Sequence, residues 1–226
     1  KMRSKYLAQA RPWLAALIAI FLAALLAARP AHAAEPPRLP FTPGEKLHFI
    51  LKWGPIYVGD AWFEVAQDTL PGGGPGYRLT AIIKSSAWAD RIYKVRDFAQ
   101  SWVDPGMTRS HCFTMRQREG GYRKKVELSF DPDGRTARRV SNDKVRPPLA
   151  IPFGSHDPLS VFFALRMHDP DKTKKVELPV TDGDKLIMGE GLLLGRETIE
   201  IDSGTYETWQ VEPKLEGIGG IFKKSP

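Results

Sequence analysis

The sequence predicts a mainly β (β-rich α+β) fold: a strongly curved antiparallel sheet, or an open barrel, packed around one short helix. Three observations predict it. Beyond residue 40, apolar and polar residues alternate with period two in run after run. The runs are short, and Gly, Pro and Asp signals separate them at regular spacing. One stretch breaks the pattern. Within Asp157 to His168, Leu159, Val161, Phe162, Phe163, Ala164, Leu165 and Met167 leave almost no polar side. A helix that is apolar nearly all round must be covered nearly all round. The alternative is an ordinary core helix lying on one flat sheet face.

The elements follow in order. Leu47, Phe49, Leu51 and Trp53 alternate with His48, Ile50 and Lys52 as a first strand, and Gly54-Pro55 turns the chain. Ile56 to Ala66 is the second, with Ala61, Phe63 and Val65 on one face and Gly59 a candidate bulge. Pro71 to Gly76 is a loop. Tyr77 to Ser86 and Ile92 to Val103 are the third and fourth strands, and Asp104-Pro105-Gly106 closes the latter. Thr108 to Glu119, Tyr122 to Asp131 and Thr136 to Ser141 are joined as hairpins by Gly120-Gly121 and Pro132-Asp133-Gly134. The helix comes next. Asp157 is a good N-cap, Pro158 falls where a missing N–H costs nothing, and Asp169-Pro170-Asp171 stops it. Lys174 to Thr181, Lys185 to Leu193, Arg196 to Ile201 and Thr205 to Glu212 complete the set.

Residues 1–33 read as a cleaved signal peptide. Arg3, Lys5 and Arg11 form a basic start, Leu14 to Ala28 an apolar run too short to span a bilayer, and Ala31-His32-Ala33 a small-residue cleavage site. A proline-rich lead-in, 34–40, precedes a single β-rich domain, 41–226. The predicted location is therefore the periplasm. The full chain holds 33 Lys and Arg against 26 Asp and Glu. Five of those basic residues (Lys1, Arg3, Lys5, Arg11 and Arg29) and no acid lie in 1–33, which leaves 28 against 26, net +2. The basic balance belongs to the leader, which excludes a nucleic-acid-binding surface read from charge alone. The single cysteine, Cys112, excludes an intramolecular disulfide, so packing must hold the fold. At the other end, Ile218 to Phe222 opens an apolar run that has no successor to pair with. The domain is therefore expected to lack its last strands.

The chemistry-bearing residues are sparse. His48, His111, His156 and His168 are not spaced as metal ligands, and no cofactor fingerprint occurs. Ser155-His156-Asp157 cannot form a triad, because consecutive residues do not converge, and there is no nucleophile elbow. Residues 109–146 hold eleven basic and five acidic residues. Arg123, Lys125, Arg138 and Arg139 are the candidates for a basic outer surface that meets anionic headgroups or polymers. The competing reading is a solvated sheet face with charges that deter edge pairing. Trp53, Phe63, Trp88, Trp102, Phe162 and Phe163 are candidates for an apolar lining that holds a lipid tail, against the alternative of simple core filling.

Several segments together resemble the bacterial exported family of domain of unknown function 3108. They are Phe41 to Leu47, Lys52 to Ala61, Tyr93 to Asp97, Asp157 to Ser160 and Gly204 to Tyr206. The resemblance covers Phe41 to about Phe222, and it implies a further strand pair beyond this point. It brings no catalytic residues. By architecture the chain is also similar to periplasmic lipoprotein carriers, in which a curved sheet shelters acyl chains; such analogy does not fix function. The leading expectation is a non-enzymatic periplasmic carrier for an apolar or acylated envelope component. An envelope interaction module using the basic face, and a hydrolase with a dispersed site, are the alternatives.

Overall fold

The computed structural model describes residues 39–215. The predicted leader and the apolar run at 218–222 lie outside the described residues. Nine strands make one antiparallel sheet. Eight follow one another as a meander: β1 (Lys46–Trp53), β2 (Ile56–Thr69), β3 (Pro75–Ser85), β4 (Arg96–Val103), β5 (Ser110–Glu119), β6 (Tyr122–Phe130), β7 (Thr136–Ser141) and β8 (Lys144–Val145). The ninth, β9 (Leu149–Ala150), pairs back onto β7. After the helix α1 (Ser160–Leu165), strands β10 (Lys175–Thr181), β11 (Leu186–Ile201) and β12 (Gly204–Lys214) form a second, three-stranded sheet. Neither sheet closes on itself among the described residues. The architecture is that of the open, curved β layer expected.

The core lies on the inner face of the large sheet. Val65, Leu79, Ala81, Ala99, Val103, Phe113, Met115, Val126 and Leu128 bury there by alternation, and Leu159 and Phe163 descend onto them from the helix segment. Phe163 meets Phe41 edge to face at 5.8 Å between ring centroids. The other side of α1 faces β10, and an isolated parallel bridge between His156 and Val180 ties the segment before the helix to the small sheet. Val161 and Ala164 are buried, and Phe162 and Leu165 half-buried. The segment is covered on both sides, as its lack of a polar face required.

The helix is shorter than the sequence predicted, six residues instead of the span from 157 to 168. At its start the cause is Asp157. Its Oδ1 accepts the N–H groups of Leu159 and Ser160 at 2.8 and 3.0 Å. That turn satisfies donors that would otherwise be orphaned, and regular helix begins only beyond it. Single turns carry the chain on through His168.

Two further boundaries and one burial pattern differ. The expected break between residues 193 and 196 is a bulge, with Leu194 unpaired between Leu193 and Gly195, so β11 runs on through it. The fourth strand begins at Arg96 instead of Ile92, because a single 3-10 turn occupies Ala89–Arg91. The first strand is exposed along nearly its whole length, although its alternation predicted one buried face. It is an edge strand, with no neighbour beyond it to cover Phe49 or Trp53.

Gly59 has a role that only glycine fills. A β-carbon there would lie 2.2 Å from the backbone oxygen of Lys84 on the adjacent strand. The register slips next to it: Leu51 faces Gly59 while Lys52 faces Tyr57, which leaves Val58 as the extra residue.

Candidate functional site

A concavity with almost wholly apolar walls grows out of this bulge. The β1–β2 hairpin turns at Gly54, whose φ of +58° suits glycine, and raises Trp53 and Val58 beside the end of β3. The segment between β3 and β4 then folds over. Trp88 Nε1 donates to the Tyr57 carbonyl at 2.9 Å. The Arg96 guanidinium grips the Asp90 carboxylate through both nitrogens at 2.9 and 2.5 Å. Ser85 Oγ donates to Asp90 at 2.5 Å and accepts the Val95 N–H at 2.7 Å. Asp90 is held below the usual carboxylate range, first by Arg96 and then by Ser85, so it stays ionised and the clasp persists. Beneath it lies a pocket of about 280 Å³ walled by Leu51, Trp53, Val58, Ile83, Trp88, Ile92 and Tyr93.

A second concavity of about 550 Å³ lies between α1 and the small sheet, with Phe162, Leu165, Val176, Leu193 and Trp209 in its walls and Arg166, His168 and Glu207 at its rim. A third, about 380 Å³, is lined by Met107, Phe153, His156, Met167 and His168.

These placements sort the six apolar candidates. Trp53 and Trp88 converge on the first pocket, and Phe162 lines the second. Phe163 fills core. Phe63 is packed against that core and meets Phe49 edge to face at 5.7 Å. Trp102 alternates with buried Ser101 and Val103, so it stands on the outer sheet face, where Nε1 donates to Asp68 at 3.2 Å. Phe63, Phe163 and Trp102 therefore line neither pocket. The greasy interior is largely filled, and open space lies at its margins. Leu51, Ile92 and Tyr93 were missed. The available signal was the clustering of the large apolar residues Trp88, Ile92 and Tyr93 within six positions.

The basic candidates also divide. Arg123 is exposed, and donates to the carbonyls of Gly120 and Tyr122 at 2.7 Å each. Lys125 is exposed and pairs with Glu127 at 2.7 Å. Arg138 is exposed but held in a two-pronged pair with Asp131. Arg139 is not a surface residue. It is 4% exposed, donates to the Asp182 carbonyl at 2.6 Å, and pairs with Asp182 and Asp184. Alternation along β7 sends it inward, where it links the large sheet to the β10–β11 turn.

His156 and His168 share the wall of the third concavity, while His48 stands on the edge strand β1. His48 Nε2 meets Asp60 Oδ1 at 2.8 Å and stacks on Trp62, while Tyr57 donates to the other oxygen of Asp60. His156 lies 3.3 Å from Ser160 Oγ, and burial depresses its pKa to about 4, which keeps it neutral. Ser160 is fully buried, and its hydroxyl is occupied by Ser110 and the Asp157 backbone, so no substrate carbonyl reaches it. Around it Ser101 and Ser110 donate to Asp157 Oδ2 at 2.5 and 2.6 Å. This is a satisfied structural knot. Among the described residues no cluster of His, Cys, Asp and Glu could hold a metal ion, and no helix is long and apolar enough to cross a membrane.

A family model described as "Protein of unknown function (DUF3108)" matches residues 48–226. No curated protein matches the chain. A crystal structure of a "beta-barrel-like protein of domain of unknown function DUF1849" from Brucella abortus is similar over 71% of this chain and 72% of its own. The TM-score is 0.46 and the sequence identity 9%.

Proposed function

The chain belongs to the DUF3108 family of proteins of unknown function, and we propose that it is a non-enzymatic binding or carrier domain, exported to the periplasm, for an apolar or acylated cell-envelope component. The observation that carries this reading is the pocket between Trp53 and Trp88. Its walls are almost wholly apolar, and it is clasped open by the Asp90–Arg96 pair instead of being collapsed onto the core. Its volume of about 280 Å³ sits at the small end of ligand sites, so it suits the end of one acyl chain or one ring system. The larger concavity beside Phe162 offers a second apolar surface with an Arg166 and Glu207 rim.

The test is native mass spectrometry, with lipid extraction, of protein recovered from the periplasmic fraction. The proposal expects an acylated species bound to the chain. Protein that is consistently empty and takes up no added lipid contradicts the binding, and protein found only in the cytoplasm contradicts the export.

A further inference from the structure

We infer that one end of the large sheet is a docking surface for a lipid bilayer carrying anionic headgroups. The inference stands apart from occupancy of the pocket. Three connections meet at this end: the β1–β2 hairpin, the β3–β4 segment and the β5–β6 hairpin. They form one continuous rim. Trp88 bonds the first connection to the second. The Val95–Glu119 bridge, and Gly120 N–H donating to the Lys94 carbonyl at 2.8 Å, tie the second to the third.

The rim carries exposed Trp53, Ile56, Trp88, Ile92, Tyr93 and Tyr122. Trp53 and Ile92 are 75% and 73% exposed, at tips where no core requires them. Trp and Tyr beside Ile is the composition that settles at the headgroup level of a bilayer. Such an exposed apolar set calls for a partner.

The charge on and just behind the rim identifies that partner. Lys52, Lys84, Arg91, Lys94, Arg118 and Arg123 stand there, opposed by Asp60, Asp90 and Glu119. On the outer face of β5 and β6, Arg118 lies directly across from Arg123, and Arg116 from Lys125. Like charges directly opposed across a sheet cost stability. An array of phosphate headgroups relieves that cost. The opposite end of the sheet lacks this composition: Asp68, Asp104, Asp131 and Asp133 at its turns are balanced by Arg78, Arg109, Arg135 and Arg138, with Arg78 paired to Asp68 and Arg138 to Asp131, and Phe153 is a large apolar residue exposed there. The sheet is polarised along its strands, with its cationic, aromatic end suited to face the membrane and its charge-balanced end to face away. The apolar pocket opens within the docking end, between Trp53 and Trp88.

The experiment is flotation of purified protein with phosphatidylcholine vesicles, with and without phosphatidylglycerol, at low and molar salt. Binding is expected to need the anionic lipid and to fade with salt. W53S/I92S is expected to lower affinity at least about tenfold. R118E and K94E are each expected to lower it about fivefold. R118E also separates docking from folding: it places a carboxylate opposite Arg123, so thermal stability holds or rises while vesicle binding falls. Equal binding to both vesicle types, no binding to either, or binding of soluble acidic polymers only overturns the inference. So does anionic-vesicle binding unchanged in W53S/I92S. Acyl-probe uptake measured without vesicles reports the pocket separately, so failure of one leaves the other standing.

Discussion

Asp157 fixes the helix segment through four contacts that its carboxylate accepts, two from serine hydroxyls and two from backbone N–H groups. Burial raises its pKa, and the hydroxyls of Ser101 and Ser110 and the two N–H groups pull the other way. D157A leaves those buried donors without an acceptor. It is expected to cost about 3–5 kcal/mol, with D157N costing less because one oxygen remains to accept; urea denaturation followed by circular dichroism measures both. The sequence marked Asp157 as a cap, which was legible, but its serine partners come from strands β4 and β5, and no local pattern announces them.

Two buried groups give the stability opposite dependences on pH. Asp97, buried on β4, has its pKa raised to about 6 by desolvation, against the N–H of Arg118 that it accepts at 2.9 Å. Its proton is held more tightly in the folded state, so its contribution is complete below the unfolded value and is lost as pH rises through about 6. His156, lowered to about 4 by burial, contributes fully above its unfolded value and loses that contribution as pH falls towards 4. The two slopes oppose each other across mildly acidic pH. D97N is therefore expected to raise stability at pH 8 by about 1–2 kcal/mol relative to wild type. H156Q is expected to remove the loss on acidification. Melting temperatures across pH 4 to 8 decide, and parallel profiles for both variants and wild type would refute the assignment.

At the scale of elements, turn chemistry and alternation located nearly every strand, since both are local. What they misjudged depended on neighbours. The β1 alternation is real, but an edge strand has nothing to bury its face against. The break expected between Leu193 and Arg196 is instead a bulge that β11 absorbs. Gly59 was legible as an irregularity, while its cause, the Lys84 carbonyl, lies on another strand. The clasp over the first pocket was hidden for the same reason: Ser85 and Arg96 read as residues of two strands and Asp90 as part of their connection, and only the fold brings them together.

For the whole molecule, runs of sequence proved a poor guide to surfaces. The basic stretch 109–146 does not map onto one face, because period two sends alternate residues inward, Arg139 among them. The aromatic surplus likewise divides among the core, an outer face and the pocket margins. What emerges instead is polarity along the strands, with Trp, Tyr and an excess of cations at one end and paired, balanced charges at the other. That arrangement needed the register, since its members come from three connections far apart in the chain. It gives the proposed carrier a direction, with the pocket at the end suited to a membrane.

The carrier proposal places an acyl group in the space between Trp53 and Trp88. Fluorescence titration of the purified protein with an environment-sensitive fatty-acid probe tests it most directly. The prediction is saturable uptake of one probe per chain at this pocket, weakened at least about tenfold in W88A, where both a wall and the bond to the Tyr57 carbonyl are lost. W53A, which removes only an exposed wall, is expected to weaken uptake while leaving the melting temperature unchanged. No saturable uptake, or uptake untouched by either substitution, would contradict it.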